Sequence, residues 1–341
     1  MKKILLIAVA LVATITVGAQ NIAVVSPSNV TKMFQELDKA IEEAEPGSII
    51  YLPGGGFTIS DETKIEKKLT IMGVSHRGDT DNVDGASIIS GNLFFEKGSS
   101  HSALIGVYVT GNINIGTVED SVANFTARYV NANSIQVHHG KSSGMVINQC
   151  YLREYSDFDH CNARLENNIL HSLAYINGGY INHNIITSYT WHYHDFYNKY
   201  DAPMDGINNS TITNNFILSI GSGSNARYVH VGGNCYASNN CVGTGTWAEN
   251  PIQLDEGTSW TDIFKDYKSD KSVTISSDYH LKDSLDVSKF KGTDGTVIGI
   301  YGGSSFSDKA LAPIPRIVSK KVDEQTDGSG RLQIEVTVKA Q

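Results

Sequence analysis

Residues 190–206, TWHYHDFYNKYDAPMDG, gather Trp191, Tyr193, Phe196, Tyr197 and Tyr200 around His192, His194, Asp195, Asp201 and Asp205. The chain as a whole is 9% aromatic, so this is a local concentration. Indole and phenol rings can stack on the apolar C–H faces of sugars, and they bury much area at small entropy cost. Two other readings stand beside that one. The loop could fold on its own aromatics, and His192-x-His194 could supply half of a zinc site, although no third ligand is evident.

Acids and imidazoles also recur in five short alternating segments: SIQVHH (134–139), SDFDH (156–160), LAYI (173–176), PMDGI (203–207) and RYVHV (227–231). Strand side chains alternate between two faces. With Ile135, Val137, Phe158, Ile176, Ile207, Val229 and Val231 turned inward, the outward set is Gln136, His138, Asp157, Asp159, Tyr175, Asp205, Tyr228 and His230. Asp157 or Asp159 paired with Asp205 could act as general acid and base in glycoside hydrolysis. Alternatively the acids could hold Ca²⁺ while His138, His230, Tyr228 or Arg227 abstracts a proton in a β-elimination. The expected catalytic set is therefore Asp157, Asp159, Asp205, His138 and His230. The expected substrate contacts are Trp191, Tyr193, Tyr197, Tyr200, Tyr175, Tyr228 and Arg227. No cofactor is required by the hydrolytic chemistry, and Ca²⁺ is the one cation the acids would admit. The plain alternative is a solvated polar face.

These residues need a scaffold, and a repeat supplies it. VINQCYL (146–152), LENNILHS (165–172), INHNIITS (181–188), ITNNFILS (212–219) and ASNNCVG (237–243) each hold an apolar pair, a polar corner and a second apolar pair. The corners read as Gln149, Asn168, Asn184, Asn215 and Asn240, spaced by 19, 16, 31 and 25 residues. One coil of a parallel β-helix, with three short strands and three turns, fits that spacing. Asn tolerates the left-handed backbone of a sharp corner, and stacked amides can form a ladder. Cys150, Ile169, Ile185, Phe216 and Cys241 follow the corners and are expected to stack as one interior column, with Cys150 and Cys241 acting as small hydrophobes. The 31-residue spacing exceeds a coil by about a dozen residues, so the aromatic loop is an insertion leading into the acid-bearing strand.

Outside the repeat, residues 30–45 carry an apolar stripe at helical spacing through Val30, Met33, Phe34, Leu37, Ala40, Ile41 and Ala44, ended by Pro46-Gly47. A helix there would cap the first coil and protect its edge. GTDGTVIGIYGG (292–303) is expected to close the far end. Leu332, Ile334, Val336 and Val338 alternate strictly, which predicts a terminal β-hairpin over 313–341.

The first residues, MKKILLIAVALVATITVGAQ, have a basic start, a short apolar run and small residues before Gln20, as a secretory signal over 1–19 would. About 320 residues then remain, read as a β-helix over 20–312 and the hairpin. A secreted location follows, in the periplasm, at the cell surface or outside the cell. Loss of Lys2 and Lys3 takes the formal charge from −9 to −11. That acidity disfavours nucleic acid and any unbridged polyanionic glycan as partners, and no segment predicts a membrane span. A monomer is expected. Cys150, Cys161, Cys235 and Cys241 show no zinc spacing.

AIEEAEPGSIIYLPGGGFTI, KKLTIMGV and ALIGVYVTG together resemble the opening of the pectin-lyase-like superfamily of right-handed parallel β-helices. DYHLKDS, GTDGTVIGIYGG and the final hairpin resemble secreted β-helix proteins of Bacteroidetes, many of uncharacterised function. The resemblance implies an all-β, single-stranded right-handed parallel β-helix with an N-terminal capping helix and a C-terminal hairpin. It further implies that substrate lies along the sheet that carries the acids. It transfers no catalytic residue, because the polygalacturonase series and the pectate-lyase motifs are absent, and one scaffold carries many activities. Two classes of function follow: a polysaccharide lyase or glycoside hydrolase, or a non-catalytic glycan-binding or adhesion protein.

Overall fold

A computed structural model describes residues 21–77, 85–138, 140–187, 203–218, 231–232, 234–242, 251–252, 254–255, 258–267, 275, 277–308, 316–322, 325, 329–331 and 333–339. The chain winds into a parallel β-helix in the right-handed sense that parallel crossovers take. Nine parallel strands, from Ile49–Leu52 through Met145–Asn148 to Tyr236–Ser238, stack as the first face of successive coils. The second face runs from Gly55–Thr58 through Ile185–Ile186 to Cys241–Val242. The third is built from Leu93–Phe95, Ile113–Ile115, Ile135–Val137, the ends of Tyr151–Asp157 and Ile169–Ala174, and Met204–Asp205. Side chains from all three faces fill one continuous interior, among them Leu104, Ile135, Leu165, Ile186 and Ile217, each 0% exposed.

The corner between the first and second faces sets the register. Asn168, Asn184, Asn215 and Asn240 are fully buried there. Each of the first three donates its Nδ2–H to the Oδ1 of the next, at 2.9, 3.0 and 2.9 Å. Each also donates to a first-face carbonyl: those of Ile147, Leu165 and Ile181 respectively. The left-handed backbone falls one residue earlier than the sequence suggests, at Gln149, Asn167, His183, Asn214 and Asn239, with φ between 53 and 61°. Side chains alternate with period two, so this single step changes which faces point in. Cys150 is level with the amide ladder, since Asn168 Oδ1 accepts its backbone N–H at 2.8 Å. Cys241 instead continues the next position, Tyr151–Ile169–Ile185–Phe216, where each is paired across strands. These five point outward, so the expected single interior cysteine column does not exist.

That outward stripe is buried because the C-terminal segment lies over it. Trp260, Ile263, Phe264, Tyr279, Phe290, Ile298 and Ile300 form a second apolar cluster with Ile169, Ile185 and Phe216. Residues 291–307 form a strap that runs back along the corners. The side chains at the left-handed positions hold it, one coil after another: Asn239 on the Lys291 carbonyl, Asn214 on Thr293, His183 on Asp294 and Gly299, Asn167 on Ile300 and Gly302, and Gln149 on the Ser307 N–H. GTDGTVIGIYGG therefore fastens the side of the solenoid rather than closing its far end. The reason is chemical: outward-pointing amides and an imidazole offer matched partners for a backbone laid across them.

The N-terminal helix is shorter than its apolar stripe. Thr31–Phe34 is a strand paired antiparallel with Ile22–Val25, which in turn pairs antiparallel with Ile49–Leu52. A turn through Asn29, with φ 62°, reverses the chain before it. Helix α1 covers only Leu37–Glu43, and Leu37, Ala40 and Ile41 cap the first coil by entering the interior core. Val30 and Met33, at the front of the stripe, remain more than half exposed. Among the described residues no helix is long and apolar enough to cross a membrane. Arg316–Val322 and Ile334–Lys339 form the expected antiparallel hairpin.

Candidate functional site

The third face presents one outward column across six coils: Phe94, Asn114, Gln136, Asp157, Ala174 and Asp205. Ile135, Val137, Phe158, Ile176 and Ile207 are inside as the alternation predicts, but the outward place expected for Tyr175 is taken by Ala174, because Tyr175 leaves the strand with left-handed backbone. Asp157 and Asp205 share the column two coils apart, with the small Ala174 between them. Their backbones are therefore separated by two strand spacings, about 9.5 Å.

Asp157 is half-buried, and burial pushes its carboxyl above the usual carboxylate range, as does the charge of Asp159. Partly offsetting this, the Asp159 N–H donates to Asp157 Oδ1 at 2.8 Å, and the Tyr155 hydroxyl lies 3.5 Å from Oδ2. Tyr155 follows the same logic. Burial first, then the neighbouring Asp157, Tyr175 and Asp205, drive its hydroxyl far above the ordinary phenol value. The four side chains therefore share one electrostatic neighbourhood, acidic and partly dehydrated.

The turn leaving this face forms a rim. Asp159, His160 and Tyr175 all have left-handed backbone, with φ of 40, 63 and 54°. The Tyr175 ring packs 5.3 Å from the His160 ring and lies over Gly206, where a Cβ would come within 2.6 Å of it. Gly206 thus keeps the ring seated beside Asp205. Asp159 is on the turn, beside Gly140, and not on the strand. His138 is exposed a coil earlier, its Nε2 3.1 Å from Asn114 Oδ1.

Of the expected residues, Asp157, Asp205 and Tyr175 come together, Asp159 adjoins them from the turn, and His138 stands apart. Trp191, His192, Tyr193, His194, Tyr197, Tyr200, Arg227, Tyr228 and His230 lie outside the described residues. Tyr155, His160 and Ala174 were not anticipated. Tyr155 lies two residues before Asp157 on the same strand, so alternation counted back from Asp157 would have found it; the bulge between Leu152 and Tyr155 breaks that count only further upstream. Among the described residues no three His, Cys, Asp or Glu side chains converge as a metal cage. All four cysteines are free.

The fold and this column define the class: a parallel β-helix with a pair of acids on one sheet flanked by Tyr155 and Tyr175. The chain matches no protein-family model, no curated protein and no solved structure.

Proposed function

We propose that this is a carbohydrate-active β-helix protein of the pectin-lyase-like type, and that it hydrolyses glycosidic bonds in a glycan lying across the third face. The observation that carries the reading is the Asp157–Ala174–Asp205 column. A general acid must hold its proton near neutral pH, and burial moves Asp157 in that direction. Asp205, two coils on, is placed to serve as the base. Their backbones are about 9.5 Å apart, so a lean of either side chain toward the other would bring the carboxyls within the roughly 6.5–9.5 Å at which an inverting pair admits a water. Ala174, fully buried between them, adds only a methyl group and no competing charge. Tyr175 and Tyr155 supply walls for a sugar ring.

The second reading, a non-catalytic glycan binder, draws on the concentration of aromatic residues in the sequence over 190–200 and on the absence of any transferable catalytic motif. One experiment separates the two. The protein is incubated with neutral and acidic glycans, with and without Ca²⁺, and both reducing ends and the absorbance of unsaturated products are followed. Hydrolysis predicts new reducing ends without unsaturated product, and a loss of at least a hundredfold in Asp157→Asn and Asp205→Asn. Unsaturated product that depends on Ca²⁺ would make it a lyase. Glycan affinity without turnover, abolished by Trp191→Ala, would establish the binder.

A further inference from the structure

Against the second face, the strap and the C-terminal segment leave a half-open cavity of about 250 Å³. Its floor is Ile185 and Phe216, and its walls include Val297, Ile298, Ile300 and Leu281. One wall is finished by an aromatic pair, His280 and Tyr301, stacked at 3.6 Å with 14° between their planes. Both rings are fixed from behind: His280 Nδ1 lies 2.7 Å from Asp278 Oδ1, and the Tyr301 hydroxyl donates to Asp308 Oδ1 at 2.7 Å. The cavity is thus bounded by two separate parts of the chain that are independently anchored.

We infer that this cavity is a binding site for a single neutral aromatic ring bearing a hydroxyl, a phenol. Size and lining set the ring: an apolar cavity of about 150 Å³ already suffices for benzene, and the floor and most walls here are aliphatic or aromatic carbon. Charge selects the substituent. The opening holds one ammonium, Lys265, whose Nζ is 2.9 Å from Asp283 Oδ1, and the carboxylates of Asp278 and Asp308 stand directly behind the two rings. An aryl carboxylate would meet net repulsion, whereas a phenol hydroxyl can donate to a carboxylate. A sugar would leave most of its hydroxyls unpaired against the aliphatic floor. The site is independent of the glycan reading, since none of its lining residues belongs to the third face.

The test is titration of the full-length protein with phenol, benzoate and methyl glucoside, followed by amide chemical shifts. Phenol is expected to saturate, with shifts centred on Tyr279, His280 and Ile298, and to bind at least tenfold more tightly than benzoate. Two substitutions should each weaken it at least tenfold: Ile298→Phe fills the cavity, and Val287→Trp, at a half-exposed position on its rim, obstructs entry without touching the core. Absence of phenol binding at millimolar concentration overturns the proposal. So does benzoate or glucoside binding there as tightly as phenol, or phenol affinity unchanged in Val287→Trp.

Discussion

His183 and Asp294, 111 residues apart in sequence, meet with Nε2 and Oδ2 at 3.0 Å, while the other ring nitrogen of His183 faces the Gly299 carbonyl at 3.2 Å. The imidazole is wholly buried and fastens the strap to the middle of the coil stack. His183→Ala should cost about 2–4 kcal/mol, because it leaves a cavity and strands two acceptors. Urea denaturation measures that loss. Limited proteolysis should show faster cleavage within 291–308, and equal cleavage in the two proteins would mean that the strap is held elsewhere.

Asp294 gives the same contact a pH dependence. Burial alone would raise its carboxyl, but the Thr296 N–H and hydroxyl together with His183 hold it below the usual range. A depressed carboxylate contributes stability that is present above its unfolded value and lost as pH falls through its folded one. Strap protection should therefore weaken only below about pH 4, and Asp294→Asn should remove that dependence. Protease sensitivity measured from pH 3 to 7 provides the check.

Gly302 tests how tightly the strap is seated. A Cβ there would fall 2.5 Å from the His183 ring and still closer to the Val297 carbonyl. Gly302→Ala should destabilise by about 1–3 kcal/mol, the range for forcing atoms into a packed site. A melting temperature unchanged from wild type would show that the strap can move aside at no cost.

The amide ladder should be more sensitive than its apolar surroundings. Asn184 Nδ2 donates to Asn215 Oδ1 and to the Leu165 and Asn182 carbonyls, and its Oδ1 accepts from Asn168. Asn184→Ala leaves several buried groups unpaired at about 1–3 kcal/mol each at most, so a total loss of about 3–5 kcal/mol is expected. Cys150→Ala, level with the ladder two coils before Asn184, removes a small thiol that donates only weakly, at 3.4 Å, to the Ala127 and Asn148 carbonyls, and should cost about 1 kcal/mol. Comparing the two by chemical denaturation isolates the amide contribution.

Asp157 behaves in the opposite sense to Asp294. Its carboxyl is raised, so the stability tied to its neutral form is complete below the ordinary value of 3.8 and is lost as pH rises through the folded one. Asp157→Asn should match wild type near pH 3 and exceed its melting temperature at pH 7. A variant less stable than wild type at pH 7 would mean that the charged form is favoured, which argues against Asp157 as an acid.

The repeat of apolar pairs around Asn corners was enough to determine a parallel β-helix and its coil spacing, and alternation put Gln136, Asp157 and Asp205 outward on the third face, whereas Asp159 and Tyr175 lie at left-handed turn positions beside it. Asp157 and Asp205 could be assigned to one face from sequence because side-chain alternation is a local property of extended chain. The placement of the left-handed residue one position before each ladder Asn was not legible, because Asn167-Asn168, Asn214-Asn215 and Asn239-Asn240 each offer two adjacent residues equally able to adopt it. From that one-residue step follow the outward turn of Ile169, Ile185 and Phe216 and the row of side chains that holds the strap. The apolar stripe over 30–45 likewise promised one helix, but pairing of Thr31–Phe34 with Ile22–Val25 took its first turn. Tyr155 shares the face of Asp157 by the same alternation, two residues before it, but His183 met Asp294 only through a return of the chain over its own coils. Local periodicity specifies which way a side chain points, whereas contacts between distant segments depend on the packing of the whole chain.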